Sequence, residues 1–382
     1  MRNHFISPTS TQTDHFHTGS DDILDVVDIT AEAAELDAFD DHTVVFRGTS
    51  QSSGLDALIA LYDTTLGPAL GGCRIWKYAQ QEDALQDVLR LSKGMSYKAA
   101  MAGLPLGGGK AVINCDSHTG KTEDMLRSFA ALVDLFEGTY VTAEDVGTTV
   151  ADMDVISGVT PHVLGRVEDP SPVTALGVMI GMQAALLHRF GVSSLSGVTI
   201  AVLGLGKVGM SLCEQTHKAG AKLIVADLEP DLVKQAVDLY GAQAVSCEAI
   251  VKAQADIFAP CAMGGVMNEK TIPMMRAAII AGSANNQLMV NVDGQRLHDM
   301  EILYAPDYVI NSGGLISAYL QMPSASDTPL LSQRLEGIGE TLNDIFEISK
   351  QENHPTNVIA DRLAKEKIDT ARRNLHPFGV KP

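Results

Sequence analysis

The chain is short of positive charge: 28 Lys and Arg stand against 47 Asp and Glu, a net charge of −19 over 382 residues. That balance argues against nucleic acid or an anionic membrane as a partner, because both would repel it. No apolar run reads as long enough to span a membrane. Arg2 is followed by Ser, Thr and His rather than an apolar stretch, so no signal peptide is expected. Cysteine is sparse. Cys73, Cys115, Cys213, Cys247 and Cys261 are odd in number and scattered, without metal-ligand spacing, as in a reduced cytoplasmic protein. No internal repeat is visible. What remains, 45% hydrophobic and 20% charged residues, is ordinary globular composition with length enough for two cores.

Residues 1–20 are polar and rich in His, Ser and Thr, the composition of a disordered tail. Asp21 to Asp41 holds nine acids and no basic residue around Ile23, Val26 and Val27, which reads as an acidic, partly helical segment or a solvated face. From His42 strands begin, at Thr43–Arg47 and Leu58–Tyr62. The pair Gly71-Gly72 lies beside a strand and invites a ligand or another backbone to approach closely. Ala84, Val88, Leu91 and Met95 then recur at steps of four and three, the buried stripe of an amphipathic helix.

Lys98 is the next position on that stripe, and Lys110 follows twelve residues later, behind Gly107-Gly108-Gly109 and ahead of the strand Ala111–Ile113. An ammonium on a buried face is costly unless an anion meets it. Three glycines permit close approach to the main chain. A phosphate loop ending at Lys110 is excluded, since it needs Gly at 104 and Ser or Thr at 111, where the chain has Leu104 and Ala111. The competing reading is that both lysines snorkel from a surface. After a helix over 123–136, the strand from Tyr140 ends in Glu144 and Asp145, and Asp145 is either a functional carboxylate or a helix cap.

Asp169-Pro170-Ser171-Pro172 marks a domain boundary, and Thr174 opens a long helix to Phe190. The strand Val198–Leu203 then runs into Gly204, Leu205, Gly206, Lys207, Val208 and Gly209, which open a helix. The next strand ends in Asp227, 23 residues after Gly204. Glycines set between strand and helix, with that acid following, form a dinucleotide fingerprint. The glycines admit a pyrophosphate to the helix N-terminus, and the acid can hold a ribose diol. Asp227 would repel a 2′-phosphate, so NAD is expected rather than NADP. Further β/α alternation continues a parallel sheet, with the amides Asn285 and Asn286 at the carboxyl edge of one strand. Residues 330–373 read as a helical tail.

Taken in order, GPALGGCR from Gly67, GMSYKAAMAGLPLGGGKAVI from Gly94, TAEDVGTT from Thr142, PSPVTALGV from Pro170, ANNQL from Ala284 and YAPDYVINSGG from Tyr304 resemble the amino-acid dehydrogenase family of glutamate, leucine, valine and phenylalanine dehydrogenases. The leucine-specific members are the most similar. The likeness spans roughly residues 43 to 373. It implies an α/β chain of two domains with a cleft between them. The expected divisions are an extension (1–40), a substrate-binding and oligomerisation domain (41–168), a Rossmann NAD-binding domain (169–346) and a helical segment returning to the first domain (347–382). It also implies a homo-oligomer.

The implied reaction is reversible oxidative deamination: an L-amino acid, NAD⁺ and water give a 2-oxo acid, ammonia and NADH. Lys98 matches the lysine that grips the substrate carboxylate. Lys110 matches the catalytic lysine that activates water, and Asp145 the carboxylate that shuttles protons to and from the substrate nitrogen. Gly72 and Met95 line the main-chain site, Asn286 matches an amide near the reacting carbon, and Thr174 and Asn285 belong with the coenzyme. Burial and the charge of Lys98 would both favour the neutral, proton-accepting form of Lys110.

The side-chain pocket carried over from the family is Leu70, Ala143, Leu315 and Ala318. Glutamate-specific relatives place a lysine where this chain has Leu70 and a serine where it has Ala318, so glutamate is not the expected substrate. Leucine enzymes usually carry valine at the last two positions; Leu315 fills space there and Ala318 opens it. Leucine or another branched-chain amino acid is the expected substrate, with phenylalanine or another aromatic amino acid as the alternative. The stretch from Gly165 to Asp169 is shorter than the corresponding loop of the leucine enzymes. A non-catalytic NAD-binding regulator is the reading from another class, and the intact set Lys98, Lys110 and Asp145 argues against it.

Overall fold

The structure is a computed structural model describing residues 14–17, 23–165, 169–322, 325 and 330–375. Most of the expected polar tail and the centre of the shortened 165–169 loop lie outside the described residues. The chain divides into two compact units. One takes the residues before Met101, those from Leu104 to Glu168 and those from Lys367 onward; the other takes Met101–Gly103 and Asp169–Glu366.

The first unit runs β1 (Asp14–His17), β2 (Ile23–Asp28), α1 (Thr30–Ala33), β3 (Val44–Ser50), β4 (Leu55–Asp63), β5 (Ala69–Trp76), α2 (Gln81–Met101), β6 (Gly107–Asn114), α3 (Glu123–Asp134), β7 (Tyr140–Glu144) and α4 (Val150–Ser157). Its sheet has the order β1-β2-β3-β4-β6-β5-β7. The pairs from β1 to β6 are antiparallel, while β5 runs parallel to both β6 and β7. One face carries Ile59, Ile75 and Ile113 against Phe129 and Leu132 of α3. The other packs Val45, Leu58 and Val112 against Ala84, Leu85, Val88 and Leu89 of α2.

Three features of the first unit differ from expectation. The acidic segment is not a separate extension: Leu24 and Val26 are buried in the core, and β2 pairs with β3. Alternating apolar and acidic residues give a strand one buried face. Residues 14–17 likewise form a strand rather than a disordered tail. The α2 stripe also drifts. Ala84 and Val88 are buried, but Leu91, Met95 and Lys98 are only half-buried, and the buried line passes to Leu89, Ser92 and Ser96. The cause is Gly108: a Cβ there would lie 2.0 Å from Ser96 N and 2.6 Å from Ser92 O. The glycine run lies within β6 and lets the helix backbone rest directly on the strand.

The second unit continues with α5 (Ser171–Phe190), β8 (Thr199–Leu203), α6 (Lys207–Lys218), β9 (Lys222–Ala226), α7 (Pro230–Tyr240), β10 (Gln243–Ala244), α8 (Cys247–Ile250), β11 (Ile257–Pro260), β12 (Ile279–Ile280), α9 (Val292–Asp299), β13 (Leu303–Tyr304), α10 (Asp307–Ile310), α11 (Gly313–Leu320), α12 (Leu331–Glu352) and α13 (Thr356–Leu375). Its sheet, β10-β9-β8-β11-β12-β13, is parallel throughout. That is the doubly wound Rossmann order, whose reversal between β8 and β11 is where ligands of such sheets bind.

The helical tail is two helices, broken where Asn353 turns left-handed at φ 56° before Pro355. The chain stays in the second unit to Glu366, beyond the return expected at 347. Contrary to the sequence expectation, α5 is long and apolar enough to cross a membrane, with a mean hydropathy of 1.3 over its best window. Its small residues face other helices instead: a Cβ at Gly181 would meet Ile310 at 2.5 Å, and one at Gly177 would meet Ile338 at 2.8 Å.

Candidate active site

The centre of the first unit is a buried ion cluster on the adjacent strands β5, β6 and β7. Lys110 points from β6 with its side chain 7% exposed, so it does not snorkel. Its Nζ lies 2.6 Å from Oδ2 of Asp145, the residue that follows β7. Arg74 of β5 approaches the same oxygen with Nε at 3.4 Å and donates from Nη1 to Asp87 of α2 at 2.9 Å. Tyr78 donates its hydroxyl to Asp87 at 2.6 Å, which fixes the far end of the chain of contacts. Oδ2 of Asp145 and Nε of Arg74 are ion contacts without an aligned hydrogen bond, so both keep unused bonding capacity in a nearly dry place.

Asp145 caps no helix. Thr149 caps α4, in a reciprocal box with Asp152. The main-chain N–H of Asp145 donates to Thr148 Oγ1 at 2.8 Å, and that hydroxyl donates to Asp145 O at 2.8 Å. The carboxylate is therefore held by a turn locked to its own strand end. Burial alone would raise its pKa, but Lys110 and then Arg74 outweigh burial and hold it below the usual carboxylate value. Arg74, which burial would weaken, is raised by Asp145 and Asp87. Asp145 and Arg74 therefore both hold their charges at neutral pH. Lys110 has an anionic neighbour that the expectation framed on burial and Lys98 leaves out.

Gly71 and Gly72 of β5 are closed over by backbone. A Cβ at Gly71 would lie 1.7 Å from Gly109 O, and one at Gly72 would lie 2.6 Å from Glu144 O and 2.8 Å from Asp145 Cβ. Gly72 thus sits directly beside the carboxylate. Leu70 is buried two residues earlier, and Ala143, registered against Gly72, is half-buried. Lys98 and Met95 occupy the last two turns of α2, both half-buried. Sequence reasoning passed over Arg74 and Asp87 as site residues; the signal for Arg74 was its place in the quoted GPALGGCR segment.

In the second unit the fingerprint has the expected shape. Gly204 turns at φ 100°, and a Cβ there would strike Ala262 N at 2.6 Å. Gly206 is the N-cap of α6, and no side chain caps the helix. A Cβ at Gly206 would meet nothing within 4 Å, and a Cβ at Gly209 would lie 2.0 Å from Gly204 O. Uncapped N–H groups at an open helix start, with no acid in the first turn, fit a pyrophosphate. Asp227 follows β9 and is half-buried; it accepts from Leu205 N at 2.5 Å and from Glu229 N at 2.9 Å. It fastens the glycine turn and retains further acceptor capacity for a diol.

Asn285 and Asn286 are exposed, and Asn286 is left-handed at φ 51°. Asn311, missed in the sequence, is buried and donates to Asn285 Oδ1 at 2.8 Å and Ser283 O at 3.1 Å. Buried Gln287 braces the same loop on Gly282 O and Ala284 O. Thr174 does not open α5. The helix starts at Ser171, and the Thr174 hydroxyl donates to Pro170 O at 2.9 Å. Leu315 and Ala318 lie three residues apart on α11, the first buried and the second half-buried. A cavity of about 590 Å³ lined by His188, His298, Lys350 and Asn353 is also present, but it contains none of the fingerprint or amide residues.

A parallel Rossmann unit and a mixed-sheet unit whose centre is a largely buried lysine–aspartate pair define a two-domain α/β dehydrogenase of the nicotinamide dinucleotide-dependent class. Residues 42–162 match the dimerisation domain of the Glu/Leu/Phe/Val dehydrogenases, and residues 230–373 match the Glutamate/Leucine/Phenylalanine/Valine dehydrogenase domain. The chain is 47% identical over 350 residues to a leucine dehydrogenase of Geobacillus stearothermophilus, covering 90% of this chain and 95% of that protein. It is 44% identical over 337 residues to an L-tryptophan dehydrogenase of Nostoc punctiforme, covering 87% of this chain and 95% of the relative. A crystal structure of L-tryptophan dehydrogenase from Nostoc punctiforme superposes with a TM-score of 0.78 at 41% identity, over 90% of this chain and all of the other. A valine dehydrogenase of Streptomyces virginiae is 41% identical over 340 residues, 87% of this chain and 95% of the relative. The chain belongs to the Glu/Leu/Phe/Val dehydrogenase family and is an amino-acid dehydrogenase.

Proposed function

We propose that the chain carries out NAD-dependent, reversible oxidative deamination of an apolar L-amino acid, leucine or another branched-chain member, to its 2-oxo acid and ammonia. The observation that carries this reading is the buried contact between Lys110 and Asp145 beside Gly72. A bound nicotinamide dinucleotide supplies the acceptor for the hydride leaving Cα. Lys98 holds the substrate carboxylate. Lys110 takes a proton from the water that adds to the resulting imine carbon, work for a positioned base worth about 10²- to 10⁴-fold. Asp145 carries protons to and from the nitrogen as ammonia departs. Its depressed pKa keeps it in the accepting form at neutral pH.

NAD over NADP is supported by the Asp227 carboxylate after β9, which would repel a 2′-phosphate. An apolar substrate is supported by Leu70, Ala143, Leu315 and Ala318, none of which can pair a second carboxylate. Free cysteines at all five positions accord with a cytoplasmic enzyme, and the matched dimerisation domain with a homo-oligomer. One observation favours a second reading: the similarity to an L-tryptophan dehydrogenase, together with the small Ala318, suits an aromatic substrate. NADH formation across a panel of L-amino acids separates the two. Preference for tryptophan or phenylalanine over leucine overturns the first, and no NADH with any amino acid overturns both.

A further inference from the structure

The family match begins at residue 42, and it is described as a dimerisation domain. Within that matched segment the sheet would end in β3 on one side and β7 on the other. The β7 edge leads straight into Asp145 and the site. The β3 edge is not open, because residues from before the match occupy it: β2 pairs along β3 from Asp25 opposite Thr49 to Asp28 opposite Phe46.

This pairing is built on both faces. Leu24 is 0% and Val26 2% exposed, in the core beneath Phe46 and Leu55, while Val27 packs on the opposite core. Outside β2 lies β1, of only four residues, whose Phe16 reaches the same core and whose His15 meets Asp25 at 2.5 Å. A bare edge strand offers unpaired N–H and C=O groups to a second chain. Short outer strands and charged side chains are the usual defence.

We propose that β1 and β2, residues 14–17 and 23–28, form an intramolecular edge cap. The occupant of the β3 edge is the chain's own β2, so two copies of this chain associate through other surfaces and not by strand pairing at β3.

Two variants test this, with mass read by light scattering over a range of concentrations. A chain starting at Ile29 lacks the cap and keeps α1; it should form assemblies of about twice the full chain's mass, or larger. A peptide of residues 14–28 added in excess should restore the original mass. Unchanged mass for the folded, truncated chain overturns the proposal. The second variant pairs Asp25→Cys with Thr49→Cys, opposite positions in the register, so that oxidation locks β2 in place. Oxidised and reduced forms should have the mass and activity of the parent chain. If locking dissociates the assembly, β2 leaves the edge when copies associate, and the proposal fails. This second result decides the matter alone if removal of Leu24 and Val26 prevents the truncated chain from folding.

Discussion

Replacing Asp145 by Asn removes the anion facing Lys110 while keeping its shape, and the structure sets the size of the loss. The Lys110 side chain is 7% exposed and that of Asp145 19%, so solvent screens the pair little. Removing one partner of a buried pair leaves the other charge uncompensated, at a cost of about 3–5 kcal/mol. Arg74 loses less, because it keeps Asp87. For a unit of this size that is roughly 6–20 °C in melting temperature, at about 2–4 °C per kcal/mol. The pH dependence has a definite sign. Asp145 has a folded pKa below its unfolded value. Its contribution is therefore present above about pH 4 and lost as pH falls through the lower, folded value. The stability gap between wild type and Asp145→Asn should stay level from pH 8 to 5 and close at lower pH. Urea titrations across that range measure it. Combining Lys110→Met with Asp145→Leu should recover much of the loss, since apolar replacement of both partners is often neutral. A single variant within about 1 kcal/mol of wild type at neutral pH, or a gap that ignores pH, refutes the argument.

The two lysines should divide the kinetics. Lys98→Ala should raise KM steeply, because a carboxylate is held in ground and transition states alike, whereas Lys110→Ala should mainly lower kcat, with partial rescue by an added primary amine. Near wild-type kcat in Lys110→Ala would transfer the base role to Asp145. Asp227→Ser should raise NADP use relative to NAD and also weaken NAD binding, since the carboxylate anchors Leu205 N; comparable efficiency with both coenzymes in the wild type would contradict the reading. Arg74→Lys keeps a charge but loses the fork that spans Asp87 and Asp145. Its kcat should fall and the acid limb of its pH–rate profile should move to higher pH; an unmoved limb would leave Arg74 a packing role only.

What the sequence disclosed and what it hid follow one physical division. The fingerprint was legible because its constraints are local: Gly204 needs its left-handed turn, Gly206 an open helix start, and Asp227 follows within the same βαβ unit. Lys110 stood out because no local rule places an ammonium between a glycine run and a buried strand. Arg74 did not stand out, since its meaning lies in Asp145, 71 residues away at the end of the neighbouring strand. The glycines were readable as places of close approach, but not the identity of what approaches. At Gly108 it is α2 itself, through Ser92 and Ser96, two polar residues that interrupt the apolar stripe and so misdirect a count of hydrophobic spacing. The same interruption explains why Met95 and Lys98 are half-buried. A helix resting its backbone on Gly108 turns its small residues to the strand and leaves its long ones at the margin. From there a lysine can reach a ligand while its stem stays packed. The close contact at Gly108 and the placement of Lys98 are thus one arrangement, and Lys110 follows Gly108 by two residues, so its side chain leaves the same face of β6.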